Sequence, residues 1–209
     1  MVKKVVFDFD GTLIRVNSFP KWVKFLLLKK LKNFEFLGFL QLSYFIFLRK
    51  ILNKISHDDF KQKLILHYSD SKLCAEFAEK LTHELNQNVF EILKKHVQNN
   101  DLIAISSAAP EVYLHAFFDI IMDEKLWIVG SQIHENKLII NHKDSKIHNL
   151  EIHNFINKNE NFDCLYTDSL DDSSLANRAE KIILVNPNVE SKSFYLKNFS
   201  DKTELIDQT

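Results

Sequence analysis

Glycine and proline are nearly missing from this chain, at three residues each among 209. Without them no Gly/Pro/Ser-rich linker separates two independent units, and no internal repeat or low-complexity tract takes its place. The chain therefore reads as one domain, or one domain carrying an insertion. Cysteine is as sparse: Cys74 and Cys164 are the only two, and neither has a second ligand at metal spacing. That excludes a disulfide scaffold and fits a reducing compartment. A charge excess is absent too, with 27 Lys+Arg against 28 Asp+Glu. No global basic surplus exists to release counterions from nucleic acid, so a nucleic-acid partner is not expected. No apolar run reaches the ~20 residues of a spanning helix. The N-terminus turns acidic at Asp8 before a signal peptide's apolar region could form. The expected location is cytoplasmic.

What is present is a core and an uneven charge layout. At 45% hydrophobic residues, the chain has ample material for a packed interior and is not disordered. Between residues 15 and 54 lie nine basic residues: Arg15, Lys21, Lys24, Lys29, Lys30, Lys32, Arg49, Lys50 and Lys54. Glu35 is the one acid there, so nine minus one gives +8. The remainder holds 18 basic and 27 acidic residues, a net of -9. The same stretch carries seven of the 18 Phe, together with Trp22 and Tyr44.

Apolar periodicity gives the order of elements. Residues 2–8 are a β-branched and aromatic run bounded by Gly11, which predicts a buried strand. From 20 to 52 the spacing is helical, with a break near Lys32-Asn33. Ser56 followed by Asp59 predicts a helix start. Further helices are expected to 66, over 70–85 and over 88–98. The texture then changes. Strands are expected at 101–107, 127–140 (a pair turning at Glu135-Asn136), 162–167 and 182–186. Helices are expected at 110–118, 145–157 and 171–179. The polar stretch 190–209 has no assigned role. This alternation predicts an α/β fold: a Rossmann-like parallel sheet flanked by helices, with an α-helical cap inserted after the first strand. The core would comprise 1–14 and 87–209, and the cap 15–86. Ligands of such sheets bind beyond the carboxyl ends of the strands, where the cap would form a lid.

The first strand ends in Asp8-Phe9-Asp10-Gly11-Thr12-Leu13. Two carboxylates at i and i+2, followed by glycine, fit a tight turn that aims oxygens at one point. Such oxygens suit Mg²⁺, a hard cation, and a carboxylate is also a competent nucleophile toward phosphorus. Alone, the same residues also fit a strand end whose acids cap the next turn.

DFDGTL at a first strand resembles the haloacid dehalogenase-like superfamily, whose phosphotransferases carry DxDGT there. Three further segments in order strengthen the resemblance. Ser107-Ala108-Ala109-Pro110-Glu111 is similar to the S-x-S-P-E of the phosphoserine-phosphatase-like branch (subfamily IB), with Ala109 departing from its second serine. The register favours Ser107, with Ser106 as the alternative. Lys146, in 144–150, matches the lysine at a helix start, with Lys143 nearby as the competitor. Thr167-Asp168-Ser169-Leu170-Asp171-Asp172 resembles the Gly-Asp segment with an acid four positions on, selecting Asp168 and Asp172 and leaving Asp171 out of register. Thr167 stands where the family has glycine. Val185-Asn186-Pro187-Asn188 also resembles the branch's VNPD.

The resemblance implies a Mg²⁺-dependent phosphomonoester hydrolase working through an aspartyl-phosphate. It implies Asp8 as nucleophile and Asp10 as general acid and base, with Ser107 and Lys146 binding the phosphoryl group. Asp8, Asp10 through its carbonyl, Asp168 and Asp172 would hold the metal. A phosphotransferase or mutase on the same core is the alternative, as is a non-catalytic membrane-surface protein with a relic site. His142 and His148 flank Lys146, and as lone histidines they fit solvated surface positions as well as substrate contact.

In this family the cap selects substrate. Residues 34–52 are strongly apolar, with a charge-free core at 36–48 that includes Gln41 and Ser43. Two readings are open: a cap helix buried against its neighbours with a wet Lys/Arg rim, or an interfacial segment on anionic lipid through 15–54. The second would suit a phosphorylated lipid, and the arrangement resembles phosphatidylglycerophosphate phosphatases. Small polar phosphoesters also fit, because a basic cap attracts either.

Overall fold

The computed structural model describes residues 2–206. Val5, Val6 and Phe7 are fully buried and form β1 (Lys4–Phe7) at the centre of the sheet. It pairs in parallel with β2 (Leu102–Pro110) on one side and β5 (Phe162–Thr167) on the other. β3 (Trp127–His134), β4 (Lys137–Ile139), β6 (Ala179–Val185) and β7 (Thr203–Ile206) complete a seven-stranded sheet. Its order is β4-β3-β2-β1-β5-β6-β7. Pairing is parallel throughout except for the β3–β4 hairpin. There Glu135 and Asn136 take φ of 49° and 62°, the left-handed pair that a two-residue turn matching the strand twist requires.

Between β1 and the first core helix stand α1 (Ser18–Lys32), α2 (Phe36–Lys50), α3 (His57–Tyr68) and α4 (Ser71–Leu81). Asn17, Ser56 and Asp70 cap α1, α3 and α4 through their side chains, and Ser56 with Asp59 forms a reciprocal capping box. The remaining helices are α5 (Gln87–Gln98), α6 (Glu111–Ile121), α7 (Ser145–Ile152), α8 (Ser173–Arg178) and α9 (Val189–Asn198).

Successive side chains of a strand face opposite sides of the sheet, and β1 divides the core accordingly. Val5 and Phe7 join a cluster that runs through α5 and α6 into α1, α3 and α4, where Trp22 and Phe77 meet the ring of Tyr113 at 5.4 and 5.1 Å. Val6 joins a second cluster with Leu150 of α7, Leu175 of α8 and Tyr195 of α9. The insertion thus shares one continuous core with the sheet. α2 is the exception, burying only Leu42 and Phe45. Among the described residues, no helix is long and apolar enough to cross a membrane.

Several expectations need correction. The polar stretch from 190 is structural: α9 buries Tyr195 completely and β7 extends the sheet beside β6. Residues 207–209 lie outside the described residues. The helix expected over 145–157 stops at Ile152 because Asn154 takes φ 56° and Phe155 N–H turns back to Leu150 O at 3.0 Å, a left-handed helix end. α4 ends at Leu81 rather than 85, giving way to a single 3-10 turn. β2 runs past Ser107 to Pro110 through an irregularity after Ser106. β6 begins three residues earlier than expected, at Ala179.

Candidate active site

β1 is flanked by β2 on one side and β5 on the other, so the connections leave in opposite directions at its carboxyl end. That is where an open parallel sheet forms a crevice. Asp8 sits there, its N–H donating to Tyr166 O at 2.9 Å. The chain then turns at Gly11 with φ 77°. A Cβ at that position would lie 2.3 Å from Asp168 Oδ2, so the glycine serves both the turn and the close approach of β5's acid. Asp10 is held from the insertion: its Oδ1 accepts from Ser18 N at 2.9 Å, and Ser18 Oγ lies 2.8 Å from Tyr113 Oη.

Lys146 enters from the start of α7 and is 3% exposed. Its Nζ lies 2.8 Å from Asp8 Oδ1 and 2.5 Å from Asp172 Oδ1. Burial alone would lower its proton affinity, but Asp172 and Asp8 outweigh burial and hold it charged, well above the ordinary lysine range. Asp8 is pushed far above the usual carboxylate range by burial, opposed by Lys146 and reinforced by Asp172 and Asp168. Burial also raises Asp10 to about 6 against the hydrogen bonds from Ser18. Asp168 rises to about 6 through burial and the neighbouring Asp172, while Thr12 Oγ1 donates to it at 3.3 Å. Thr167 donates to Asp172 Oδ2 at 2.7 Å. The threonine standing in place of glycine therefore fixes an acid of the site.

These groups share a cavity of about 570 Å³ lined by Asp8, Asp10, Ser107, Lys146, Asp168 and Asp172. The two members of each pair of alternatives stand in different places. Ser107 lines the cavity, whereas Ser106 is sealed beneath it, accepting from Asn141 Nδ2 at 3.1 Å. The Lys143 side chain is 62% exposed and points to Asp171 at 3.7 Å, outside the cavity lining. Asp171 does reach the cavity and lies 3.1 Å from His142 Nε2. His148 is absent from the lining.

Lys61 of α3 is a site residue the motifs did not indicate. It is 5% exposed, lines the cavity and donates to Ala108 O at 3.0 Å. Its signal was positional: Lys61 falls on the same helical stripe as Leu64, Ile65 and Tyr68, all buried, where a lysine has no structural reason to be.

Six carboxylates, Asp8, Asp10, Asp58, Asp168, Asp171 and Asp172, line the cavity with two ammonium groups, and burial, helped by Asp172 at Asp8 and Asp168, raises the proton affinities of Asp8, Asp10 and Asp168. An all-oxygen donor set with uncompensated charge fits a hard divalent cation. Among the described residues, no three Asp, Glu, His or Cys side chains are already gathered around one point, and Lys146 bridges Asp8 and Asp172 instead.

The haloacid dehalogenase-like hydrolase family matches residues 5–175, a span that takes in all these groups. The chain belongs to that family. Solved structures agree at the level of fold. A protein of unknown function from Bordetella pertussis Tohama I superposes with a TM-score of 0.70 at 12% identity, covering 99% of both chains. A phosphoserine phosphohydrolase-like protein from Francisella tularensis subsp. tularensis SCHU S4 gives 0.56 at 19% identity, covering 97% of this chain and 95% of that one. A phospho-aspartyl intermediate analogue of phosphoserine phosphatase gives 0.54 at 12% identity, covering 100% and 94%. No curated protein matches the chain. Within this hydrolase family, the sequence and the fold together direct attention to the end of β1.

Proposed function

We propose that this haloacid dehalogenase-like hydrolase cleaves phosphomonoesters, with Asp8 as the nucleophile. The observation that carries the reading is the buried Lys146–Asp8 contact of 2.8 Å at the floor of the cavity. Burial, with Asp172 and Asp168 beside it, drives Asp8 toward its protonated form, and Lys146 is the protein's own cation opposing that drive. An Asp8 oxygen attacks phosphorus while the bond from phosphorus to the leaving oxygen breaks. Lys146 and Ser107 hold the phosphoryl oxygens as charge shifts onto them. Asp10, at about 6, is protonated often enough to give its proton to the leaving oxygen. As a carboxylate it then takes a proton from water, which attacks the phosphorus of the aspartyl-phosphate and frees both Asp8 and phosphate. Asp8, Asp168, Asp172 and the main-chain carbonyl of Asp10 would hold Mg²⁺. When bound, that ion supplies charge neutralisation between the carboxylates and the incoming phosphoryl group.

The substrate reading follows from the walls. Beside the cavity lies a second hollow of about 590 Å³, lined by Val23, Leu27, Ile46 and Phe60 and sharing Phe19, Pro20 and His57 with the first. A largely apolar groove that shares walls with the phosphoryl site favours a phosphoester bearing an apolar portion.

The test is Asp8→Asn assayed by phosphate release from an aryl phosphate with Mg²⁺ present. Loss of at least about a thousandfold is expected for removal of a nucleophile. An Asp8→Asn enzyme as active as the parent would overturn the assignment.

A further inference from the structure

We infer that the outward face of α2 docks this protein on an anionic lipid bilayer. Leu37, Leu40, Tyr44, Phe47 and Ile51 recur at steps of three and four and so lie on one stripe of the helix. All five are exposed, by 85%, 62%, 57%, 42% and 67%. On the opposite side Leu42 and Phe45 face the core. α2 is therefore apolar around most of its circumference while the protein covers only one side. A contiguous exposed ridge of this size marks an interaction surface.

The charges around the ridge identify the occupant. Lys21, Lys29 and Lys30 are neutralised by Glu84, Glu76 and Glu35. Lys24, Lys32, Lys50 and Lys54 are exposed, and among the described residues none of them forms an ion pair. Glu35 is the one acid between 15 and 54 and is already engaged by Lys30. A second copy of the chain would bring the same ridge and the same unpaired lysines face to face in a two-fold contact, setting like charges together. An anionic bilayer satisfies both features at once: the apolar side chains enter the acyl boundary and the lysines meet the headgroups. With 15 residues, α2 would lie along the surface rather than cross it.

Lys24 of α1 and Ile46, Arg49 and Lys50 of α2 line the groove beside the catalytic cavity, and none of the five ridge side chains does. The docking therefore does not rest on the phosphomonoesterase reading.

The experiment is flotation of the full chain with vesicles of phosphatidylcholine alone or mixed with about 30% phosphatidylglycerol. Binding to the anionic vesicles is expected to be at least about tenfold tighter and to weaken at about 0.5 M salt. The triple variant Leu37→Ser/Leu40→Ser/Tyr44→Ser should lose it, and Lys32→Glu/Lys54→Glu should lower it, both retaining the parent's turnover of a soluble aryl phosphate. Asp8→Asn should bind vesicles like the parent, which separates docking from catalysis. Equal binding to both vesicle types, or a triple variant that still binds, would overturn the proposal. So would a dimer in sedimentation that the triple variant turns into monomer while neither form binds vesicles.

Discussion

Lys61 of α3 donates its ammonium to the carbonyl of Ala108 at 3.0 Å, tying the helical insertion to β2 one residue beyond Ser107. Burial depresses its pKa, opposed by Asp58 and Asp10. The ring of Phe19 lies 5.3 Å from its Nζ. One carbonyl satisfies one of three N–H donors, leaving the rest to face the cavity it lines. A cation kept at a desolvation cost and underused by the protein is suited to an anionic ligand.

Lys61→Met should therefore weaken substrate capture while sparing the fold. Loss of a charge-assisted hydrogen bond of about 1.5–3 kcal/mol corresponds to roughly a tenfold to hundredfold fall in kcat/KM. The fall should come mainly through KM, with the melting temperature held or raised because a buried charge is gone. Steady-state kinetics on an aryl phosphate checks this. An unchanged kcat/KM would show Lys61 to be a structural tie only.

The two adjacent serines should separate in opposite ways. Ser107→Ala removes a hydroxyl that lines the cavity and accepts from Ala109 N at 3.1 Å, so kcat/KM should drop at least about tenfold with little loss of stability. Ser106→Ala disturbs the buried Asn141, whose amide also donates to Ser107 O and Val129 O. It should lower stability by about 1 kcal/mol and leave kinetics nearly intact. Chemical denaturation and turnover measured on both variants decide it, and the reverse pattern would move the role to Ser106.

Much of this architecture could be read from residues alone, because its signals are local. The buried strands carry short apolar runs, and DFDGTL compresses a strand end, two acids and a left-handed turn into six positions. What escaped detection depends on distant partners. β7 is a four-residue edge strand whose Glu204 and Leu205 are exposed, so it lacks the apolar run of a central strand. α9 anchors chiefly through Tyr195, whose hydroxyl reaches Ser169 O at 3.0 Å across the sheet's carboxyl end. Lys61 belongs to no motif. Its meaning emerges only when α3 is laid over β2. The exposure of α2 was equally invisible, since an apolar helix reads alike whether protein or another phase covers it.

Gly11→Ala should damage the acidic cluster more than an ordinary loop substitution. The new Cβ would have to occupy space 2.3 Å from Asp168 Oδ2 at a backbone φ of 77°, so Asp168 must move and the turn is strained. In the parent, Mg²⁺ at a hundred times its dissociation constant should stabilise the fold by about 2.7 kcal/mol. The variant should lose most of that increment. Calorimetry with Mg²⁺ and with chelator measures it, and an undiminished Mg²⁺ increment in the variant would mean that Asp168 takes no part in holding the ion.

Asp10 should make the metal-free protein less stable as pH rises. Its carboxyl is held at about 6 by burial, whereas in the unfolded chain it titrates near ~3.9. Between those values the folded state binds the proton that the unfolded state has released. Stability from this group is thus complete below about pH 4 and lost as pH climbs through about 6. Two pH units of difference correspond to a loss on the order of 2–3 kcal/mol above that window. Asn is neutral at every pH and its amide oxygen can still accept from Ser18 N. Asp10→Asn should accordingly melt higher than the parent at pH 7.5 in chelator, and the gap should close toward pH 4. The same substitution should nearly abolish phosphate release, because no proton can then be given to the leaving group or taken from water. A melting-temperature gap that stays constant from pH 4 to pH 8 would show that Asp10 is not held away from its ordinary titration.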